Sequence, residues 1–231
     1  VGSEMCISDR SWGDSLRAVR ETLAAHGILG IPTESSYALA VDPRSSEGVE
    51  TIFRFKERPA DKPLPVVVGA LEHLELLGID TQDDDLRTLA SLWPSPLSVV
   101  VSIHRPLPAA GGSGSLAVRM PDHKGLVDML VRLQTPLTAT SANRSGEPPI
   151  CDPMELAHLL KGWQALIVDD GRLVGGAPST MVALRSGDVE VLRVGRYPIA
   201  VLERRLSDLG WGGGFSAAVA EKSADRSSEA R

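Results

Sequence analysis

The sequence predicts an α/β fold built on a mixed β-sheet. Segments with the 3.6-residue period of amphipathic helices alternate with short β-branched runs along most of the 231 residues, the pattern of layered α/β architecture. Toward the C-terminal end "ALIVDDG", "STMVAL" and "VEVLRVG" read as closing strands. Neighbouring strands of that kind make a mixed sheet rather than a purely parallel one. Hydrophobic residues form 42% of the chain but aromatic residues only 4%, so the core must be filled by Leu, Val, Ile and Ala.

Residues 14–26 predict a helix, with Leu16, Val19 and Leu23 on one face and Gly27 as its C′ residue. Residues 28–31 predict a short buried strand. Ser45 or Ser46 caps a second helix that turns Val49, Ile52 and Phe53 inward. The β-branched run 64–69 is a strand, and helical patterns follow near 71–77 and 84–92. "PLSVVVSIH" and "SLAVRM" predict strands on either side of the glycine-rich loop 110–114. A helix over 124–133, a short strand "PLTAT" and a helix over 153–161 precede the closing strands. From Gly212 onward Gly, Ser, Ala and charged residues dominate, which predicts a disordered tail over 212–231. The expected organisation is an N-terminal extension (1–13), one folded domain (14–211) and that tail.

The net charge of −6 excludes a chain-wide basic footprint for nucleic acid, though not a local basic groove. The two cysteines, Cys6 and Cys151, are far apart and no C-x-x-C occurs, so neither a structural zinc site nor a disulfide scaffold is expected. The five histidines, His26, His73, His104, His123 and His158, fall in no metal-ligand spacing. No signal-peptide pattern opens the sequence, and its longest apolar runs are too short to span a bilayer. A cytoplasmic protein with no membrane contact is the expectation.

Four places share one form: an apolar strand runs into a polar or glycine-rich turn. They are "IPTESSY", "LAVRMPDH", "LTATSANRSGEPP" and "VGGAPSTMV". Each is a plain turn or part of a ligand site, since ligands of open α/β sheets bind at strand ends. Lys56 and Arg58 close a helix before a proline-rich loop, either as partners of the helix dipole or as a phosphate clamp. Arg119 and Arg193 each end an apolar strand, as edge residues or as anion anchors. Glu34 is a candidate base, or a carboxylate paired with Arg58 or Lys56. The chain has no G-x-S-x-G elbow, no Walker motif and no G-x-G-x-x-G after a strand. Chemistry without a covalent protein nucleophile is therefore expected.

Seven blocks in order carry a resemblance. They are "PTESSYAL", "KERPADKPL", "WPSPLS", "VRMPDH", "SANRSGEP", "STMVA" and "LRVG". Over roughly residues 15–195 the chain resembles the YrdC/YciO-type threonylcarbamoyl-AMP synthases, in their minimal single-domain form. The resemblance implies a YrdC-like twisted mixed β-sheet with helices on both faces, enclosing a cationic groove. It implies a nucleotidyltransferase: an L-threonylcarbamoyladenylate synthase making threonylcarbamoyl-AMP and pyrophosphate from L-threonine, bicarbonate and ATP. A separate transferase complex then passes the threonylcarbamoyl group to tRNA. By motif, Thr33, Tyr37, Arg119 and Ser179 would bind threonine, with the backbone of 138–140 lining its pocket. Lys56, Arg58, Lys62, Ser115, Ser141, Asn143 and Arg193 would bind ATP, with Lys56 and Arg58 acting electrostatically on the phosphates. Mg²⁺ would come with ATP, and no protein metal ligand is implied.

The chain departs from the pattern at Lys62, where the family has Asn, at Val67, where it has His, and at Ala38 and Val194. Val67 is expected to remove a polar partner from the threonine pocket. Two other readings stay open. One is a non-catalytic member that binds tRNA or double-stranded RNA through Lys56, Arg58, Lys62, Arg119 and Arg144. The other is a related carbamoyl-transfer enzyme with a different acceptor.

Overall fold

The computed structural model describes residues 5–8, 12–57, 62–144 and 146–216. In chain order the strands are β1 (Met5–Ser8), β2 (Ile28–Pro32), β3 (Tyr37–Ala40), β4 (Val66–Val67), β5 (Leu97–Ser102), β6 (Ser115–Arg119), β7 (Leu137–Thr138), β8 (Thr140–Ser141), β9 (Ala165–Asp169), β10 (Thr180–Arg185), β11 (Asp188–Arg193) and β12 (Phe215–Ser216). The helices are α1 (Trp12–Ala24), α2 (Ser46–Lys56), α3 (Glu72–Glu75), α4 (Asp84–Ala90), α5 (Lys124–Leu133), α6 (Pro153–Leu159) and α7 (Ile199–Asp208). The expected α/β class with mixed pairing holds. The strands divide into two hydrogen-bonded sheets, ordered β1-β9-β2-β3-β8 and β12-β11-β10-β5-β6-β4-β7.

Period-two alternation explains the helices on both faces of the first sheet. Along β9, Ala165 and Ile167 join a core cluster with Ile52 and Phe53 of α2 and Leu156 of α6. Leu166 and Val168 join the opposite cluster, with Val19 of α1 and Leu126, Met129 and Leu130 of α5. Successive side chains on a strand point to opposite faces, so one short apolar run serves both cores.

The caps follow local chemistry. Ser45 Oγ accepts from Gly48 N at 3.1 Å, and Asp83 Oδ1 accepts from Leu86 N at 2.8 Å. The end of α1 differs from expectation. His26, at φ 56°, takes the left-handed position. Gly27 N donates to Thr22 O at 2.9 Å and His26 N to Leu23 O at 3.0 Å, a Schellman closure. Gly27 is needed for space: a Cβ there would lie 2.9 Å from Gln164 O.

The "PLTAT" run is two strands. β7 pairs with β4 and β8 pairs with β3, so the chain crosses from one sheet to the other at Ala139. The crossing is held by Thr138 Oγ1, which accepts from Val41 N at 2.9 Å, and by Ala139 N, which donates to Pro65 O at 2.7 Å.

Both expected ends need correction. Met5–Ser8 is a strand, paired in parallel with Leu166–Asp169, and α1 begins at Trp12. A four-residue edge strand carries too little periodicity to read alone; the open edge of β9 recruits it. Likewise the tail does not begin at Gly212. Phe215 and Ser216 pair with Val189 and Glu190, and Gly214 N donates to Asp188 Oδ1 at 2.6 Å. A Cβ on Gly213 would lie 1.7 Å from Gly187 O, so this glycine marks close backbone contact, not looseness. Residues 217–231 lie outside the described residues. The helix α7 was not expected from the sequence. Its signal was Leu202 and Leu206, four apart and both buried. No helix among the described residues is long and apolar enough to cross a membrane.

Candidate functional site

The polar break after β2 is the turn of a β2–β3 hairpin, with Pro32 paired to Tyr37. Thr33 builds that turn. Its Oγ1 donates to Ser36 O at 2.7 Å and lies 3.4 Å from the backbone N of both Ser35 and Ser36. The turn reading holds, and Thr33, Ser35 and Ser36 also line a cavity of about 490 Å³. That volume lies within the range of small-ligand sites, roughly 300–1,000 Å³.

Six expected site residues line this cavity together: Thr33, Tyr37, Arg119, Ser141, Ser179 and Arg193. They come from both sheets. Tyr37 opens β3 and Ser141 ends β8 in the first; Arg119 ends β6 and Arg193 ends β11 in the second, with Ser179 just before β10. Ala139 and Thr140, at the crossing between the sheets, line it as well. Tyr37 is fully buried. Its hydroxyl donates to Gly171 O at 2.8 Å and accepts from Asp170 N at 3.0 Å, so it fastens the wall.

The cavity is cationic. Arg193 donates to Ser179 O through Nη2 at 2.9 Å and Nε at 3.2 Å. Ser179 Oγ lies 2.8 Å from Ser98 Oγ. Burial, and next the Arg119 guanidinium, draw the pKa of Arg193 below the ordinary arginine value. Two guanidiniums therefore feel each other across one enclosed space, a surplus that suits carboxylate or phosphate. Glu34 supplies one counter-charge: Arg119 Nη1 lies 2.5 Å from Glu34 Oε1. Glu34 thus pairs with Arg119 rather than with Lys56, because the hairpin turn faces the end of β6; the other expected partner, Arg58, lies outside the described residues.

Other expected residues stand elsewhere. Lys56 is 5% exposed. Its Nζ donates to Ser141 O at 2.7 Å, Asn143 Oδ1 at 2.8 Å and Asn143 O at 3.0 Å. It holds the "SAN" turn instead of lining the cavity. Asn143 is also inside that turn, with Oδ1 accepting from Ser141 Oγ at 2.7 Å and Nδ2 donating to Glu147 O at 2.5 Å. Ser115 sits at the opposite end of β6 from Arg119, about 13 Å away at the usual strand rise, and touches Ser113 Oγ at 3.0 Å. Lys62 is exposed beside Pro63, and Pro63 does line the cavity. Arg58 lies outside the described residues. Of the cationic set expected for RNA, Lys56 is buried, Arg119 is paired with Glu34, and Lys62 and Arg144 are exposed. Val67 is buried in the apolar cluster with Leu126, Met129 and Leu137, so it takes nothing polar from the cavity wall.

Several wall-building residues were not singled out from the sequence. Arg196 Nη1 donates to Glu34 O at 3.0 Å and Gly175 O at 3.2 Å, stitching the 173–178 loop to the hairpin turn. Its position directly after the "LRVG" glycine was the available signal. Ser98, Pro149 and Met181 also line the cavity. A larger cavity of about 710 Å³ lies beyond Pro149, which borders both. Its arginines, Arg144 and Arg172, are offset by Glu147, Asp152 and Glu155, so it lacks the cationic surplus. Among the described residues no group of three His, Cys, Asp or Glu could hold a metal ion.

The family model Sua5_yciO_yrdC, described as "Telomere recombination", matches residues 21–195. The threonylcarbamoyl-AMP synthase of Pyrococcus abyssi is 30% identical over 184 residues, covering 79% of this chain and 54% of that protein. The synthase of Yersinia enterocolitica is 33% identical over 166 residues, covering 70% of this chain and 86% of that protein. The chain thus spans about half the length of the Pyrococcus relative and most of the Yersinia one. The crystal structure of P. abyssi Sua5 complexed with L-threonine is similar at a TM-score of 0.81 and 28% identity, covering 96% of this chain and 65% of that chain. Matched over most of its length in sequence and fold, the chain belongs to the Sua5/YciO/YrdC family.

Proposed function

We propose that this chain is an L-threonylcarbamoyladenylate synthase, forming threonylcarbamoyl-AMP and pyrophosphate from L-threonine, bicarbonate and ATP. The observation that carries the reading is the meeting of Arg119, Arg193 and the hydroxyls of Thr33, Ser141 and Ser179 in one cavity. The names of the curated relatives support it. Threonine and bicarbonate give a carbamate and water; the carbamate oxygen attacks the α-phosphorus of ATP, and pyrophosphate leaves. That sequence needs alignment and fixed positive charge rather than a protein nucleophile. Arg119, Thr33 and Ser179 receive the amino acid, Arg119 taking its carboxylate. Arg193 and Ser141 receive the nucleotide, Lys62 meets its phosphates, and Arg58 is assigned to the phosphates by motif. Lys56 and Asn143 act through the turn they hold, keeping Ser141 in place. Mg²⁺ bound with ATP would supply further charge neutralisation at the phosphates, beside the cations of this chain.

The product is an activated carbonyl on an adenylate, so its consumer is an acceptor amine, here an adenosine of tRNA handled by a transferase complex in the cytoplasm. Purified protein with L-threonine, bicarbonate, ATP and Mg²⁺ should release pyrophosphate only when threonine is present. Release independent of threonine, or none, rejects the reading; stronger release with another amino acid assigns a different acceptor.

A further inference from the structure

We propose that His123 is a positioning residue for this cavity: through Asp170 it holds the Arg119 wall in register with the Tyr37 wall. The proposal rests on the synthase reading above. The "VRMPDH" block brings Arg119 to the cavity, and His123 is the last residue of that block. Arg119 ends β6 in the second sheet, whereas β9 and Tyr37 belong to the first. His123 bridges the exit of one strand to the exit of the other.

Both ring nitrogens are engaged. Nδ1 accepts from Leu126 N at 3.1 Å, as the N-cap of α5. A nitrogen that accepts carries no proton, so Nε2 holds the hydrogen and donates to Asp170 Oδ2 at 3.1 Å. Asp170 directly follows β9 and joins two contacts in one residue. Its carboxylate meets His123, and its backbone N donates to the Tyr37 hydroxyl at 3.0 Å. That hydroxyl donates in turn to Gly171 O at 2.8 Å. Tyr37 is fully buried and lines the cavity. The turn that fixes Tyr37 is therefore itself fixed to the segment leaving Arg119.

Stability is not the main effect of this clasp. The side chains of His123 and Asp170 are 14% and 42% exposed, and a partly open pair adds little to folding. Alignment is what it supplies. A ligand held between Arg119 and the β2–β3 turn needs the two walls at one spacing, and a misplacement of about 1 Å costs about a hundredfold in rate. The chain crossing at Ala139 and the Arg119–Glu34 pair also join the sheets. His123 adds the tie that runs through the Tyr37 turn.

Threonine-dependent pyrophosphate release by the full chain tests this on wild type, H123N, D170A, D170N and the double variant H123N/D170A. Asparagine keeps an N-cap acceptor for α5 but is too short to reach Asp170. H123N and D170A should each lower kcat/KM for threonine about tenfold, with urea midpoints close to that of wild type. The double variant should be no worse than about twice either single one, because each removes the same clasp. D170N, whose amide oxygen still accepts from Nε2, should stay within about threefold of wild type. Single variants that match wild type, losses that multiply in the double variant, or D170N as poor as D170A overturn the proposal. Should H123N not fold, the comparison of D170A with D170N carries the same test. A wild type that releases no pyrophosphate sinks the synthase reading, and amide hydrogen exchange over residues 37–40 and 169–172 then decides the clasp. It stands if D170A speeds exchange there and D170N does not, and falls otherwise.

Discussion

At the scale of single residues, Lys56 shows how burial reassigns a cation. A lysine at a helix end beside a proline-rich loop is equally suited to phosphate or to carbonyl oxygens. Here the ammonium is enclosed and spends its donors on Ser141 O, Asn143 O and Asn143 Oδ1. Lys56→Met leaves buried acceptors without that donor, at roughly 1–3 kcal/mol for each. We expect urea denaturation to show a loss of about 2–4 kcal/mol for this variant, where a surface phosphate ligand would lose almost nothing. His73 gives a pH signature. It is buried, its Nδ1 accepts from Gly69 N at 3.2 Å, and burial pushes its pKa below the ordinary value. The folded state thus favours the neutral ring. Its contribution is complete above the unfolded pKa of about 6.5 and is lost as pH falls through the lower folded value. Denaturation midpoints measured from pH 7.5 down to 5 should fall more steeply in wild type than in His73→Asn. The difference in slope should not exceed about 1.4 kcal/mol per pH unit, the limit for one proton.

At the scale of elements, the site is made by strand ends and by the turns packed on them. β6 and β11 deliver Arg119 and Arg193, and the β2–β3 turn delivers Thr33 and Glu34. Gly195 couples two of these pieces. A Cβ there would lie 2.2 Å from Pro178 O and 2.6 Å from Ser179 O, so only glycine lets the end of β11 lie flat on the cavity wall. Thr180 Oγ1 locks the contact by accepting from Gly195 N at 2.9 Å. Gly195→Ala must push the 178–179 backbone, and Ser179 with it, away from Arg193. We expect a stability loss of about 1–3 kcal/mol together with weakened threonine binding in calorimetry. The neighbouring departure, Val194, is 59% exposed and disturbs none of this.

At the scale of the molecule, the cavity lies where the two sheets meet. Tyr37 and Ser141 belong to one sheet, Arg119, Met181 and Arg193 to the other. A ligand held by both sides therefore ties the sheets together and stabilises the native state against global unfolding. At one hundred times its dissociation constant a single ligand adds about 2.7 kcal/mol, which for a domain of this size raises Tm by roughly 5–10 °C. Thermal melts with L-threonine and a non-hydrolysable ATP analogue should show this shift. A variant that has lost Arg119, such as Arg119→Ala, should not show it with threonine.

The α/β class, most helices, the central strands and the strand-end clusters were legible in the sequence, because they rest on local periodicity and on residues suited to turns and anions. The seven motif blocks named the family for the same reason, since their order along the chain survives any uncertainty about packing. Tertiary structure alone decided the split of "PLTAT" between two sheets, the edge strands β1 and β12, and the partners of Lys56 and Glu34. Those outcomes depend on contacts between segments many tens of residues apart. The free energy of a buried charge is set by whichever group ends nearest to it, and no local pattern encodes that neighbour.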